Sequence, residues 1–236
     1  MPGTTATPGS TAPGHNEHEK RLAAEAAATL VQPGAVVGLG TGSTAALLLP
    51  ALARRSLDVV CVATSPATGA AATALGLDVR PFEGIDRIDI AIDGADEVDD
   101  RGWLVKGGGG AQTREKIVAA AARTFVVIVS SDKLRPVLQG PVPLELAAFG
   151  VDATLRSLGD LGRVRRRDAP PTPDGGVLAD LWPDGGPGAS PGELARRLDA
   201  EPGLVSHGLF PPELTSLVII GTGDGVVRRA VEAPPG

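Results

Sequence analysis

The chain has 236 residues, of which 42% are hydrophobic and 21% are charged, a composition typical of a globular protein with a sizeable buried core. Its 22 Lys and Arg residues against 28 Asp and Glu residues give a net charge of −6, which argues against a broad nucleic-acid surface. Pro50 interrupts the apolar run AALLLPALA, so no bilayer span is expected. The lone Cys61 fits a buried residue in a reducing compartment. Together these two observations predict a cytoplasmic protein.

The N-terminal residues 1–16 are rich in Pro, Gly and Thr and predict a disordered tail. Beyond this tail, helical and strand-like segments alternate. The predicted helices are residues 17–31, 43–55, 67–76 and 114–122, and the predicted strands are residues 35–40, 57–64, 85–93, 103–106 and 124–131. This alternation predicts an α/β fold with a mainly parallel, Rossmann-like sheet that carries helices on both faces.

Near Leu138 the character of the sequence changes, because prolines and glycines multiply. Residues 138–213 are predicted to form a smaller α+β, ferredoxin-like lobe. Its predicted helices are residues 147–159 and 191–200, and its predicted strands are residues 162–168 and 176–182. The apolar run that follows returns to the buried-strand pattern, so residues 17–137 and 214–236 together are predicted to form the Rossmann-like domain.

Residues 38–45 (GLGTGSTA) lie between the first predicted strand and the helix that follows it. Glycines with Ser43 and Thr44 at a helix start suit a compact phosphate bound by backbone N–H groups, hydroxyls and the helix dipole. The alternative is a tight turn in which Ser43 or Thr44 caps the helix. A dinucleotide site would need an acidic residue where the next strand ends, and Ala63, Thr64 and Ser65 stand there instead.

Residues 90–100 (IAIDGADEVDD) end a buried strand with a run of carboxylates. Ligands of doubly wound sheets bind beyond the carboxyl ends of the strands, so Asp93 and Asp96 are predicted to face a site. The alternative is a polar turn in which Asp and Gly serve local geometry. The spacing does not fit a calcium loop, and a carboxylate cluster alone is weak evidence for magnesium.

Residues 106–116 (KGGGGAQTREK) place a lysine before four glycines and Glu115 in the first turn of the next helix. Bare glycine N–H groups can bind an oxyanion, and the helix dipole favours an ionised Glu115. A carboxylate beside a lysine and backbone donors is typical of a proton-abstraction site. Taken alone, the motif would also fit a glycine hinge beside a surface glutamate.

Lys133 follows another buried strand and is predicted to reach the same edge of the sheet. Four strand ends would then bring together hydroxyls, carboxylates, two lysines and a base. A small anionic substrate with abstractable protons fits this assembly, which predicts an enzyme that acts on a sugar phosphate.

Five motifs in this order resemble ribose-5-phosphate isomerase of the A type: VGLGTGSTA, DGADEVD, KGGGG, TREKI and SDKL. The likeness extends through PVPLEL, GLF and IIGTGDGV and covers nearly the whole chain beyond the tail. The resemblance implies interconversion of D-ribose 5-phosphate and D-ribulose 5-phosphate in the non-oxidative pentose phosphate pathway, without a metal or other cofactor. It also implies a homodimer or homotetramer whose ligand is a sugar phosphate, with no nucleic-acid or membrane partner.

The resemblance also implies a role for each matching residue. Glu115 is the base that moves a proton between C1 and C2, Lys106 stabilises the enediolate charge, and Asp93 contacts the sugar hydroxyls and assists ring opening. The implied substrate-binding residues are Lys20, Thr41, Gly42, Ser43, Thr44, Asp93, Gly94, Ala95, Asp96, Lys106, Gly107, Gly108, Gly109 and Lys133.

Three other classes of protein remain as alternatives. A sugar-phosphate-sensing regulator of similar fold would bind the same ligand without catalysis, but it needs a DNA-binding helix-turn-helix for which the tail is too short. An acyl-CoA transferase would need a large CoA site, and a dinucleotide oxidoreductase would need an acidic residue that this sequence lacks.

Some residues depart from the family pattern, namely Gln112, Pro66 and the Gly- and Pro-rich lobe. The arginines of residues 163–167 fit a solvated or interface surface.

Overall fold

The computed structural model describes residues 13–231, so most of the predicted tail lies outside the described residues, and the first helix begins at Pro13, inside that predicted tail. Within the described residues there are six α-helices. They are α1 (Pro13–Ala28), α2 (Ser43–Ala53), α3 (Pro66–Ala74), α4 (Gln112–Ala121), α5 (Val151–Leu158) and α6 (Pro191–Asp199). All six correspond to predicted helices, with ends that differ by a few residues.

The same described range contains fifteen short strands, several of them too short to show a periodic pattern. They are β1 (Val36–Leu39), β2 (Val60–Ala63), β3 (Asp78–Val79), β4 (Ile90–Asp93), β5 (Glu97–Asp99), β6 (Leu104–Val105), β7 (Phe125–Ser130), β8 (Leu134–Arg135), β9 (Val142–Leu146), β10 (Gly162–Arg166), β11 (Val177–Pro183), β12 (Leu204–His207), β13 (Leu209–Phe210), β14 (Leu217–Thr222) and β15 (Gly225–Ala230).

The largest sheet has seven strands in the order β15-β14-β7-β4-β1-β2-β3. Every neighbouring pair is parallel except β14 and β15, which form an antiparallel hairpin. The chain steps outward from β1 to β2 and β3, then returns to β4 and steps the other way. The strand order therefore reverses between β1 and β4, which is where ligands bind in folds of this kind. The prediction of a mainly parallel, Rossmann-like sheet is confirmed.

Alternate residues of the central strands pack against opposite faces of this sheet. Val126 and Ile128 of β7 join the core beneath α1, α2 and α3, whereas Val127 and Val129 join the core that contains Val118 of α4. Strands covered on both faces read as continuous apolar runs, which is why these segments are recognisable from sequence. Cys61 on β2 is fully buried in the first of these cores, as its apolar neighbours predict.

The smaller lobe is built from β9, α5, β10, β11, α6 and β12, with an antiparallel sheet in the order β10-β11-β9-β12. This is the βαββαβ arrangement of a ferredoxin-like fold, as predicted. The strands β9 and β12 were not predicted from the sequence, because Pro143 interrupts the first and the second is a short edge strand. The lobe has its own core around Leu144, Leu181 and Leu198.

A third sheet, in the order β13-β6-β5-β8, joins the two parts of the molecule. The strand β6 pairs with β13, which follows the lobe, and with β5, which follows the main-sheet strand β4. Lys106, immediately after β6, therefore begins its glycine-rich loop between the two parts. The backbone N–H of Lys106 donates to the Gly208 carbonyl at 2.8 Å, and the Gly208 N–H donates to the Pro143 carbonyl at 2.7 Å.

The packing of α1 on the main sheet predicts a specific sensitivity at Gly221 of β14. A Cβ added there would lie 1.8 Å from the backbone carbonyl oxygen of Glu19, so Gly221→Ala must push the helix away from the strand. We expect the free energy of unfolding to fall by about 1–3 kcal/mol, as for other overpacked sites, measured by urea denaturation. Gly159→Ala is the matched control, since its φ is −58° and no atom lies within 4 Å of the added carbon. Equal stability of both variants would contradict the proposed packing constraint.

Candidate active site

The loop after β1 opens directly into the N-terminus of α2. Gly42 is the N-cap residue, with a φ of +116°, and among residues 13–231 no side chain makes a capping hydrogen bond to this helix. The alternative in which Ser43 or Thr44 caps the helix is therefore wrong. An uncapped helix start leaves backbone N–H groups and the positive end of the dipole available to an anion.

Two lysines bring positive charge to this helix start from other elements. The Nζ atom of Lys20, on α1, donates to the Ser43 Oγ at 3.1 Å. Lys133 lies at the end of the turn that follows β7, with its Nζ 4.0 Å from an Asp132 carboxylate oxygen. Both lysines line the same cavity as residues 41–44. The combination of two ammonium groups, hydroxyls and helix amides fits a phosphate-sized anion.

A buried lysine between two carboxylates forms the centre of the site. The Lys106 Nζ lies 2.8 Å from Asp93 Oδ2 and 3.2 Å from Glu115 Oε2. It also donates to the Gly94 carbonyl. Between 2% and 5% of each of the three charged side chains is exposed, so these charges are screened little by water.

The backbone holds Asp93 in a fixed orientation at the end of β4. Its Oδ1 atom accepts from the Gly94 N–H at 2.7 Å and from the Thr41 N–H at 3.1 Å. Its other oxygen faces Lys106. Gly40 directly follows β1, the strand beside β4. This position must be glycine, because a Cβ on Gly40 would lie 1.9 Å from Asp93 Oδ1. The sequence pattern GLGTG thus provides space for the carboxylate as well as for a ligand.

The pKa of Glu115 is raised to about 8, because burial and the neighbouring Asp93 carboxylate together outweigh the opposing effect of Lys106. Burial also raises the pKa of Asp93, against the opposing effects of Lys106 and two backbone N–H groups. The pKa of Lys106 is raised, because the two carboxylates outweigh the effect of its burial. Lys106 therefore stays protonated, and Glu115 exchanges its proton near neutral pH, as a general base requires.

The glycine-rich loop forms one wall of the cavity. Gly107 has a φ of +106°, a conformation that favours glycine, and a Cβ there would lie 2.7 Å from the Gln112 side chain. The Gly108 N–H donates to Asp96 Oδ2 at 2.7 Å. Gly109 has open space where a side chain would begin. The loop thus exposes bare backbone to the cavity, as its four glycines predict.

These elements enclose a cavity of about 120 Å³. Of the residues predicted to bind substrate or act in catalysis, only Asp93 does not line it, because Asp93 lies behind Lys106 and the loop after β1. The lining residues are Lys20, Thr41, Gly42, Ser43, Thr44, Gly94, Ala95, Asp96, Lys106, Gly107, Gly108, Gly109, Glu115 and Lys133. The structure therefore brings together residues from six separate segments that the sequence analysis grouped by chemistry and resemblance.

The rest of the acidic run has structural tasks. Glu97 accepts from the backbone N–H groups of Gln139 and Gly140, and the buried Asp99 accepts from those of Arg101 and Trp103. For these two carboxylates the alternative of local backbone geometry is the right one. Within residues 13–231 no group of three or more His, Cys, Asp or Glu side chains could hold a metal ion.

An aromatic ring beside the site was noticed in the sequence only as part of the GLF motif. The ring of the buried Phe210 has the Lys106 Nζ 5.4 Å from its centroid and the Lys116 Nζ 5.1 Å from it. Such distances allow cation–π attraction to both ammonium groups. Burial lowers the pKa of Lys116 to about 8, and its Nζ lies 3.4 Å from His207 Nδ1.

The thiol of Cys61 and the run of arginines complete the sequence-derived candidates. Burial raises the pKa of Cys61 to about 12, so the thiol stays protonated and is no nucleophile. The guanidinium of Arg163 lies 4.3 Å from the Trp182 ring centroid, and Arg165 and Arg166 are exposed. Arg167 departs from the expectation of a solvated surface, because it donates to the carbonyls of the glycine-rich loop.

Along the described residues no helix is long and apolar enough to cross a membrane.

Comparisons with known proteins agree with this geometry. Residues 60–225 match the sequence model of the family described as ribose 5-phosphate isomerase A, or phosphoriboisomerase A. A relative from Thermomicrobium roseum, named ribose-5-phosphate isomerase A, is 43% identical over 221 residues, which cover 89% of this chain and 92% of the relative. Residues 15–74 also match the model of the DeoR C-terminal sensor domain.

Solved structures show the same likeness. Ribose 5-phosphate isomerase A from Methanocaldococcus jannaschii superposes with a TM-score of 0.84 at 32% identity, covering 91% of this chain and 99% of that one. A D-ribose-5-phosphate isomerase in complex with phospho-erythronic acid superposes with a TM-score of 0.85 at 32% identity, over the same shares of the two chains.

The buried charges predict a pH-dependent loss of stability in Lys106→Met. Removing the ammonium leaves Asp93 and Glu115 without a counter-ion, so we expect a loss of about 3–5 kcal/mol in the free energy of unfolding at pH 8. Without Lys106 the pKa of each carboxylate rises further, so the folded state takes up protons as the pH falls. The loss should therefore be smaller at pH 5.5, measured by urea denaturation at both values.

Lys133→Met is the matched control for that experiment, because the Lys133 side chain is 34% exposed and its Nζ lies 4.0 Å from an Asp132 carboxylate oxygen. We expect it to change stability little at either pH. An equal loss for Lys106→Met at pH 8 and at pH 5.5 would show that the lysine does not compensate buried negative charge.

Proposed function

The chain belongs to the ribose 5-phosphate isomerase A family, and we infer that it interconverts D-ribose 5-phosphate and D-ribulose 5-phosphate. It is an aldose-ketose isomerase, and we propose that the reaction passes through an enediolate within the cavity described above. The observation that carries the proposal is the bridging of Asp93 and Glu115 by the buried Lys106, beside an uncapped helix N-terminus.

Substrate binding begins with the phosphate group. We propose that its oxygens accept from the amides and hydroxyls of residues 41–44, with Lys20 and Lys133 supplying positive charge. The phosphate then acts as an anchor that places the far end of the sugar against the other wall of the cavity. That wall contains Glu115, Lys106 and the glycine-rich loop.

The chemical step is a proton transfer between two adjacent carbons. In the direction from aldose to ketose, the ionised Glu115 removes the proton from C2. The electron pair of the C–H bond then forms the C1–C2 double bond, and negative charge develops on O1. The hydroxyl proton of O2 moves to O1, the protonated Glu115 returns its proton to C1, and the oxygen on C2 becomes the ketone. Atoms and electrons balance without an oxidant, because one carbon is oxidised as its neighbour is reduced.

Lys106 and the loop amides stabilise the charge that develops on oxygen. A buried ammonium and fixed backbone N–H groups need no reorganisation when this charge appears, which makes them more effective than water. Asp93 keeps Lys106 in place from outside the cavity, so its part in the reaction passes through the lysine rather than through the direct contact with the sugar hydroxyls that the resemblance implies. Asp96, which accepts from the Gly108 N–H at 2.7 Å, lies beside it at the mouth of the cavity.

A sugar-phosphate sensor without catalysis is the second candidate, since residues 15–74 also match the model of a sensor domain. That match covers the phosphate-binding loop but stops before Asp93, Lys106 and Glu115. These three residues are needed for proton transfer, whereas a sensor that only binds the sugar phosphate does not need them. The isomerase is therefore the better supported function.

Family membership and chemistry also support a proposal for the assembly and the location of the protein. We propose a homodimer or homotetramer, the assemblies that the family resemblance implies, with a small-molecule sugar phosphate as the ligand and with neither nucleic acid nor membrane as partner. We also propose a cytoplasmic location in the non-oxidative pentose phosphate pathway. The buried, unpaired thiol of Cys61 fits the reducing conditions of that compartment.

Replacing the base tests the mechanism directly. Glu115→Gln keeps the size of the side chain but cannot accept the proton, so we expect kcat for ribulose 5-phosphate formation to fall by roughly 10²–10⁴-fold. Glu83→Gln, an exposed glutamate, is the matched control and should keep wild-type activity. Activity is measured with a chelator present. Wild-type kcat in Glu115→Gln would exclude Glu115 as the base.

The raised pKa of Glu115 predicts the acid limb of the pH profile. Since only the ionised carboxylate accepts a proton, kcat/KM should decline as the pH falls below about 8, approaching tenfold per pH unit. Lys116 has a pKa of about 8 as well, so the profile of Lys116→Met must keep the same limb. A wild-type profile that is flat between pH 6 and 9, or a limb that disappears in Lys116→Met, would contradict the assignment.

A further inference from the structure

Arg167, on the smaller lobe, reaches the glycine-rich loop of the active site. Its Nη1 donates to the Gly107 carbonyl at 2.9 Å and to the Gly108 carbonyl at 3.2 Å. Its Nε and Nη2 donate to the two carboxylate oxygens of Asp180 at 2.9 and 2.6 Å. The guanidinium is thus fixed by Asp180 on β11 on one side and bound to the loop on the other.

The planarity of the peptide bond converts these two contacts into a constraint on N–H groups. The Gly107 carbonyl belongs to the same peptide unit as the Gly108 N–H, and the Gly108 carbonyl to the same unit as the Gly109 N–H. In a trans peptide the C=O and N–H bonds point in opposite directions. Holding both carbonyls toward Arg167 therefore turns both N–H groups away from it.

The far side of the loop from Arg167 is the cavity. The Gly108 N–H donates to Asp96, which lines the cavity, and Gly109 lines it as well. Glycine has no side chain to limit peptide rotation, so a run of four glycines has little orientation of its own. Gly107 also accepts from the Gly110 N–H at 3.0 Å, but the Gly108 carbonyl has no donor besides Arg167 in the described part of the chain.

We propose that Arg167 is a positioning residue for the isomerisation: it orients the Gly107–Gly108 and Gly108–Gly109 peptide units, so that the Gly108 amide donates to Asp96 and the Gly109 amide faces the developing enediolate. The proposal rests on the proposed isomerase function. It assigns to the smaller lobe an indirect part in the chemistry, because Arg167 and its partner Asp180 both belong to that lobe and act through the loop. Arg167 does not line the cavity and contacts the substrate only through the loop.

A positioning role predicts a particular split of the kinetic constants. Arg167→Met keeps the aliphatic stem but lets the two peptide units rotate, which weakens the stabilisation of the enediolate and leaves the phosphate site untouched. We expect kcat to fall about 10- to 100-fold while KM changes by less than about threefold. Arg167→Lys, which can still donate to a carbonyl, should recover part of the loss. Arg166→Met is the matched control, an exposed neighbour expected to behave as wild type.

Inhibitors separate orientation of the amides from general damage. Phospho-erythronic acid carries a planar carboxylate whose delocalised negative charge resembles that of an enediolate. Inorganic phosphate, in contrast, binds only at the phosphate site. In Arg167→Met the inhibition constant of phospho-erythronic acid should rise about as much as kcat falls, and that of inorganic phosphate should stay the same. Equal weakening of both inhibitors, unchanged kcat, or a rise in KM alone would each overturn the proposal.

Two further measurements cover the cases in which Arg167→Met does not fold or the chain does not isomerise. Asp180→Asn keeps the arginine but weakens the ion pair that holds it. It should therefore lower kcat less than Arg167→Met does, again with little change in KM. Hydrogen exchange of the Gly108 and Gly109 amides, which needs no turnover, should be faster in Arg167→Lys than in wild type. Inactive wild type would refute the proposed function alone, whereas unchanged exchange of the loop amides would refute the positioning role alone.

Discussion

The ion pairs of Lys106 with Asp93 and Glu115 are the interaction on which the rest of the site depends. Burying three charges is expensive, and it is tolerated here because each charge faces an opposite one and the surrounding backbone supplies further hydrogen bonds. Asp93 accepts from two N–H groups, which leaves its second oxygen for the lysine. Glu115 lies farther from Lys106, at 3.2 Å against 2.8 Å, and burial and the Asp93 carboxylate keep its pKa raised, so it retains the capacity to exchange a proton.

This arrangement dictates the glycines around it. Gly40 leaves room for the Asp93 carboxylate, and Gly208 must lack a side chain because a Cβ there would lie 2.1 Å from the Lys106 carbonyl oxygen. Gly107 adopts a backbone conformation that few other residues reach. The glycines of the motifs therefore do more than expose backbone to a ligand. They allow three backbone segments to approach the buried ion pairs closely.

Sequence alone was sufficient for the parts of the fold that repeat a simple pattern. The strands β1, β4 and β7 are buried on both faces, and β4 and β7 end at the polar residues Asp93 and Ser130, so both the sheet and its ligand-binding edge were predictable. The short strands β5, β8 and β13 were not, because elements of two or three residues have no period and depend on tertiary pairing. Arg167 was read as a surface residue for the same reason. Its partners, Asp180 and two loop carbonyls, are set by the fold and leave no local mark in the chain.

The smaller lobe then has a physical reason to lie against the catalytic loop and helix. Beside the Arg167 contacts, the buried Glu145 accepts from Thr113 and Thr172, and Arg114 forms a two-fold ion pair with Asp174 at 2.7 Å. Thr113 and Arg114 directly precede Glu115, so the lobe fixes the first turn of α4 as well as the loop before it. Ordering four glycines costs conformational entropy that the loop cannot recover from side-chain packing of its own. Contacts from a second folded unit supply what is missing, which is why the site lies between the sheet edge and the lobe rather than on the sheet alone.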